Sequence, residues 1–167
     1  MIGYTVPQFV PTEVCLACEG CCRFESEQSS WRPKLTKKEI LRKDFAPVVD
    51  KGYLAAHKVG HCANCTFFSP ASGFCRTYTN RPFECELYPF VFMRRDKKIY
   101  LSVHMSCPYV KEQFGSGVYQ DFVRKLKRYF NQASMKEFVA KNTNIAGDYK
   151  GFEHEIEDIM FLVEDKI

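Results

Sequence analysis

At 167 residues, with 46% hydrophobic residues and a formal net charge of +4, the chain is long enough to bury a core and too apolar for a disordered tail. The mild charge does not by itself argue for nucleic acid as a partner, and no run approaches the roughly 18–20 apolar residues of a membrane span. Met1-Ile2-Gly3-Tyr4-Thr5-Val6-Pro7 lacks the basic start and apolar block of an export signal, so the nine cysteines are expected in a reducing, cytoplasmic setting, holding metal rather than forming disulfides.

Residues 1–14, with Pro7 and Pro11, read as an extended arm. The arm leads into Cys15-Leu16-Ala17-Cys18-Glu19-Gly20-Cys21-Cys22, four thiols within eight residues. Each two-residue gap lets a tight turn aim both sulfurs at one point, as a tetrahedral metal or an iron–sulfur cube requires. Gly20 suits such a turn because it takes backbone angles that other residues resist. Cys21 and Cys22 are hard to point at the same metal, so they serve two sites, or one of them does something else.

Pro33 keeps 31–35 extended. Thr36-Lys37-Lys38-Glu39 then reads as a capping box opening a short helix, with Ile40, Leu41 and Phe45 inward. A second helical piece is expected over 49–57. Cys62, Cys65, Cys75 and Cys85 form the next thiol-bearing region, and Pro82 suits the start of a helical turn. Residues 90–94 and 99–104 flank Asp96-Lys97-Lys98 and predict a β-hairpin that returns Cys107 toward Cys85.

Beyond Gly115-Ser116-Gly117, read as a flexible cap, Val118, Phe122, Leu126, Tyr129, Phe130 and Ala133 recur at helical spacing, with Arg124, Lys125, Lys127 and Arg128 opposite. Residues 142–151 read as a loop. A last helix is expected from Phe152, with Ile156, Ile159, Met160 and Val163 on one side. Its acids, Glu153, Glu155, Glu157 and Asp158, offer an intramolecular complement to the basic face. That reading, or plain solvation, is preferred over nucleic acid.

Single cysteines are often small buried apolar residues, but the spacing of Cys15, Cys18, Cys21 and Cys22 has no such explanation. Zinc would take paired knuckles, Cys15/Cys18 with Cys62/Cys65. An iron–sulfur cluster would take Cys15, Cys18 and Cys21 with a remote partner such as Cys107, which Pro108 follows. The triple spacing favours iron–sulfur, of the 4Fe–4S type, with zinc as the alternative. Arg76, Arg81, Arg94 and Arg95 are placed to offset thiolate charge or to hydrogen-bond cluster sulfurs, and Arg81 is taken as the cofactor contact. The four histidines form no motif, although His61 beside Cys62 is a supplementary ligand candidate. There is no Walker loop, dinucleotide fingerprint or G-x-S-x-G elbow.

The Cys15–Cys22 run, Leu35-Thr36-Lys37-Lys38-Glu39-Ile40, Cys65-Thr66-Phe67-Phe68, Gly73-Phe74-Cys75-Arg76-Thr77-Tyr78 and Arg81-Pro82-x2-Cys85-x2-Tyr88-Pro89 together resemble the CxxCxxCC family of zinc- or iron-chelating, YkgJ-type cysteine-cluster proteins. The resemblance covers about residues 15–110. It implies Cys15, Cys18, Cys21, Cys22, Cys65, Cys75, Cys85 and Cys107 as the metal ligands, with Cys62 an addition. It also implies kinship with flagellin lysine N-methylases, linked to an iron–sulfur cluster and S-adenosylmethionine.

The expected fold is a single α+β domain over 1–167, with a cysteine-rich metal-binding core at 15–110, a β-hairpin, and amphipathic helices in a C-terminal part at 111–167. The expected function is metal binding in electron transfer, or as accessory to a redox or methyl-transfer system through an enzyme partner. A zinc-stabilised interaction module and a cluster-dependent, methyltransferase-like enzyme are the alternatives.

Overall fold

The computed structural model describes residues 6–18 and 20–165. The chain is α+β, and it divides between Glu86 and Leu87: Val10–Glu86 forms one unit, and Leu87–Ile167 with Met1–Phe9 forms the other. Positions 1–5 of the expected arm, and Glu19, lie outside the described residues.

The first unit, here the cysteine unit, opens with helix α1 (Thr12–Ala17), so the arm gives way to helix before the first thiol. Its strands are β1 (Arg23–Phe24), β2 (Val49–Asp50), β3 (Tyr53–Leu54), β4 (Ala56–Val59), β5 (Cys62–Cys65), β6 (Phe68–Ser69) and β7 (Phe74–Cys75). They form an antiparallel sheet in the order β1-β5-β4 and two separate two-stranded pairs, β2-β3 and β6-β7. The helix expected over 49–57 is therefore strand. Lys51 and Gly52 take φ of 50° and 88°, the backbone of a tight hairpin turn, and the turn folds Val49-Asp50 onto Tyr53-Leu54.

The capping box forms as bonds but not as the expected helix. Thr36 N–H donates to Glu39 Oε2 at 2.8 Å and Glu39 N–H to Thr36 Oγ1 at 3.3 Å. The chain makes one 3₁₀ turn (Glu39–Leu41) and leaves through an extended Arg42. Leu41, expected inward, is 80% exposed, whereas Phe45 is fully buried. Phe24, Leu35, Phe45, Leu54, Ala63 and Phe68 make the core, and Cys65 is part of it. Helix α2 (Phe83–Leu87) follows Pro82, as the sequence predicts.

In the second unit, here the hairpin unit, β8 (Phe90–Arg95) and β9 (Lys98–His104) form the expected hairpin. Helices α3 (Pro108–Gln113), α4 (Gly117–Phe130) and α5 (Ala133–Lys141) follow. Ser116 caps α4, its Oγ accepting Tyr119 N–H at 3.1 Å. Leu126 and Phe130 are fully buried, and the Phe130 ring meets Phe92 edge-on at 5.5 Å. Val118, expected inward, is 60% exposed. Phe9 joins this core against Phe90 and Tyr109.

The last expected helix is instead strand β10 (Ile156–Glu164), antiparallel to β9 in a β10-β9-β8 sheet. Its ladder shifts register between Asp158 and Met160 and again between Phe161 and Val163. Each irregularity breaks the period-2 alternation, which is why the apolar positions mimic helical spacing. Two of the acids expected to complement α4 are engaged elsewhere: Asp158 accepts from Arg95 and from Ser102 Oγ, and Glu155 from His104 and Ser106. Arg124 pairs with Asp121 of its own helix. Among the described residues, no helix is long and apolar enough to cross a membrane.

Candidate metal centre

All nine cysteines are thiols, and none is joined in a disulfide. Seven that the resemblance implies as ligands, Cys15, Cys18, Cys21, Cys22, Cys65, Cys75 and Cys85, fall within the cysteine unit. Cys15 sits in the last turn of α1, its N–H bonded to Pro11 O at 2.9 Å, and Cys18 N–H returns to Cys15 O at 3.3 Å. Cys15-x2-Cys18 is therefore the tight turn that the spacing predicts. Gly20–Cys22 continues as one 3₁₀ turn. Gly20 opens this turn, and an added Cβ there would stand 3.6 Å from Cys18 Sγ, an ordinary contact.

The second gap is not a knuckle. Cys62 and Cys65 are the two ends of β5, and strand residues three apart point to opposite faces. Cys65 is buried in the core while Cys62 is exposed beside an exposed His61. The zinc pairing of Cys15/Cys18 with Cys62/Cys65 loses its second half. Cys75 arrives on β7, with Phe68 as its cross-strand partner on β6. Arg76, next along, donates from its guanidinium to Thr66 O at 2.5 Å and from its N–H to Phe67 O, tying this pair to the end of β5.

These thiols act on one another. A hydrogen bond with Cys21 is the largest reason that the Cys15 thiol is pushed up, with burial next. The same bond favours the Cys21 thiolate, but Cys22, burial and the charge of Cys18 outweigh it, and the Cys21 thiol also rises. Burial, then the charges of Cys65 and Cys21, holds Cys85 well above the usual thiol range. Burial raises Cys75, and pushes Cys65 up to about 11. Cys21 thus feels Cys15, Cys18, Cys22 and Cys85, and Cys75 feels Cys15, Cys65 and Cys85. Without metal such thiols stay protonated at neutral pH, and a metal that binds them must displace the protons.

Arg81 reaches this set. Its Nη1 donates to Cys15 Sγ at 3.9 Å, and its guanidinium lies 4.1 Å from the centroid of the Tyr78 ring. Tyr78 also hydrogen-bonds Cys15 and favours its thiolate, a contact that the sequence did not single out. Arg94 and Arg95 are not charge partners of the thiols: Arg94 pairs with Asp165 at 2.6 Å and Asp148 at 3.6 Å, and Arg95 with Asp158.

Cys107 belongs to the hairpin unit, where it is buried at the N-cap of α3. Nearby, Tyr88 Oη lies 3.0 Å from His104 Nδ1, and His104 Nε2 lies 3.1 Å from Glu155 Oε2. Among the described residues, no three His, Cys, Asp or Glu side chains are already arranged around a metal-sized point. The donor chemistry nonetheless fits a thiophilic metal, because a set made only of thiols selects zinc or iron–sulfur over oxygen-seeking ions.

A family model described as "CxxCxxCC: putative zinc- or iron-chelating domain" matches residues 14–113. No curated protein and no solved structure matches the chain.

Proposed function

The chain belongs to the CxxCxxCC family of zinc- or iron-chelating domains, and from that premise we propose that its cysteine unit holds an iron–sulfur cluster of the 4Fe–4S type. Cys15, Cys18 and Cys21 supply three donors from one short segment, and Cys85, in electrostatic contact with Cys21, supplies the fourth. Cys22, Cys65 and Cys75 are donors for a second metal in the same unit, and Cys107 is the eighth cysteine of the family pattern. Arg81 donates to Cys15 Sγ and so lowers the electron density that this sulfur returns to a metal. When bound, the cluster supplies one-electron chemistry. The role is electron transfer, or service as an accessory to a redox or methyl-transfer system.

The observation that carries this reading is the placement of seven unoxidised thiols within one unit, three of them from a C-x2-C-x2-C run. Anaerobic purification followed by iron, acid-labile sulfide and zinc analysis tests it. The expected result is a brown protein with iron and sulfide in equal amounts, about four of each per cluster. Stoichiometric zinc without iron overturns it and leaves a zinc-stabilised interaction module. That second reading draws on the short strands of the cysteine unit, which metal binding would stabilise. Calorimetry with S-adenosylmethionine tests the methyl-transfer version, which absence of binding to the cluster-loaded protein removes.

A further inference from the structure

We propose that Glu39 is a positioning residue for Cys85, the cap that holds a thiol-bearing helix to a cysteine-free segment 44 residues away in sequence. Cys85 lies in α2, a helix of five residues. So short a helix has no cooperative stability of its own, and its first N–H groups need acceptors from outside. Phe83 N–H finds one in Glu39 Oε1 at 2.6 Å. The other oxygen of the same carboxylate, Oε2, accepts Thr36 N–H and Thr36 Oγ1, both at 2.8 Å. One side chain therefore closes its own turn and fixes the start of the helix that carries Cys85.

Further ties run the same way. Glu84, directly before Cys85, accepts Lys34 N–H through Oε2 and Lys34 Nζ through Oε1 at 3.3 Å. Arg42 Nη2 donates to Asn80 O at 3.0 Å. Lys34, Glu39 and Glu84 are all buried, so their bonds, unlike the exposed one from Arg42, are little weakened by competing water. Segment 34–42 carries no cysteine, yet it grips the chain on the N-terminal side of Cys85. It is a frame for the thiol rather than a spacer between thiols.

This inference deepens the proposed metal-binding reading, from which it takes Cys85 as a ligand, but its test is separate. The metal-free full-length chain is treated anaerobically with iodoacetamide, and the labelling rate of each cysteine is read by mass spectrometry. In Glu39→Ala, Cys85 should react about tenfold faster than in the wild type, while Cys65 and Cys62 keep their rates. Glu39→Gln, which keeps one acceptor oxygen, should fall between the two. Should Glu39→Ala fail to fold, Glu39→Gln and Arg42→Ala carry the test, with roughly two- to threefold rises expected at Cys85 alone. An unchanged Cys85 rate in a folded variant overturns the proposal. So does a rise shared equally by Cys65, which would mean general loosening. Because the labelling is done without metal, its outcome is independent of whether iron, zinc or neither is found in the wild type.

Discussion

The two units hold themselves together by different means. The hairpin unit is built on a ladder: strands of six, seven and nine residues form one sheet, and a fourteen-residue helix buries Leu126 and Phe130 completely. The cysteine unit has strands of only two to four residues. Side chains take several of its backbone groups across long sequence separations or tight turns: Glu39 on Thr36 and Phe83, Glu84 on Lys34, Arg76 on Thr66. Periodic structure follows from local pattern, whereas clamped structure depends on particular side chains meeting across long sequence separations. The hairpin unit should respond to loss of core volume, and the cysteine unit to loss of thiols and clamps.

The sharpest way to break that contrast is one substitution made in both units. Phe130 and Phe45 are each fully buried, and truncation of either to alanine should cost about 3–5 kcal/mol. If the proposed reading holds and metal binds the folded cysteine unit, it should rescue Phe45→Ala and leave Phe130→Ala unrescued. Hydrogen exchange, resolved by unit with and without metal, measures both. Equal rescue in the two would erase the distinction.

Thiol substitutions come next. Cys21→Ser and Cys85→Ser remove two thiols that each act on several others and should lower bound metal several-fold, and Cys18→Ser should also lower it. The exposed Cys62→Ser should stay near the wild type. Metal analysis of the purified variants decides the ranking, and full occupancy in Cys85→Ser would contradict it.

The units should also fail at opposite ends of the pH scale. Cys65, ordinarily near 9.0, is pushed up to about 11 by burial, and Cys15, Cys21, Cys75 and Cys85 are raised too. A raised group stabilises the fold below its unfolded value and loses that contribution as pH climbs through its folded one. The metal-free cysteine unit should therefore weaken from about pH 9 upward. In the hairpin unit, burial holds His104 below its usual range, and Ser106 with His104 holds Glu155 below its own. Depressed groups stabilise above their unfolded values of 6.5 and 4.5 and lose that as pH falls, so this unit should weaken in acid. Tyr119, raised by burial to about 12, weakens the hairpin unit on the alkaline side only above pH 10. Unit-resolved exchange across pH 4 to 11 checks the asymmetry.

The reach of the sequence follows the same division. The β8–β9 hairpin and the body of α4 were legible because alternation and helical spacing are local signals. β10 carries apolar residues at helical spacing because two register shifts scramble its alternation. The span 49–57 gives no periodic strand signal because a tight hairpin turn at Lys51 and Gly52 divides it into two-residue strands. In the candidate site, the C-x2-C spacing points to Cys15, Cys18 and Cys21 as donors, whereas it does not tell which thiol Arg81 reaches, Cys15 Sγ at 3.9 Å. Glu39 was read only as half of a local box, since nothing in Thr36-x2-Glu39 tells that its second oxygen caps Phe83. The C-x2-C spacing of Cys62 and Cys65 looked like a knuckle because spacing alone does not tell a turn from a strand.

The smallest effects concern backbone. Asp96 and Lys97 hold φ of 50° and 58° in the β8–β9 turn, and Lys97→Gly should stabilise the hairpin by at most about 1 kcal/mol in thermal melts. Gly20→Ala should change stability by less than about 0.5 kcal/mol, since its Cβ meets only Cys18 Sγ at 3.6 Å. A large loss at Gly20 would mean that the first thiol loop is tighter than its backbone indicates.

The central claim is that cysteine thiolates, and no other side chains, hold the metal. X-ray absorption at the iron and zinc edges of anaerobically isolated, full-length protein counts the donors directly. The account predicts iron surrounded by sulfur alone, with iron–iron scattering beyond it. A first shell dominated by nitrogen or oxygen, or no bound metal at all, would contradict it.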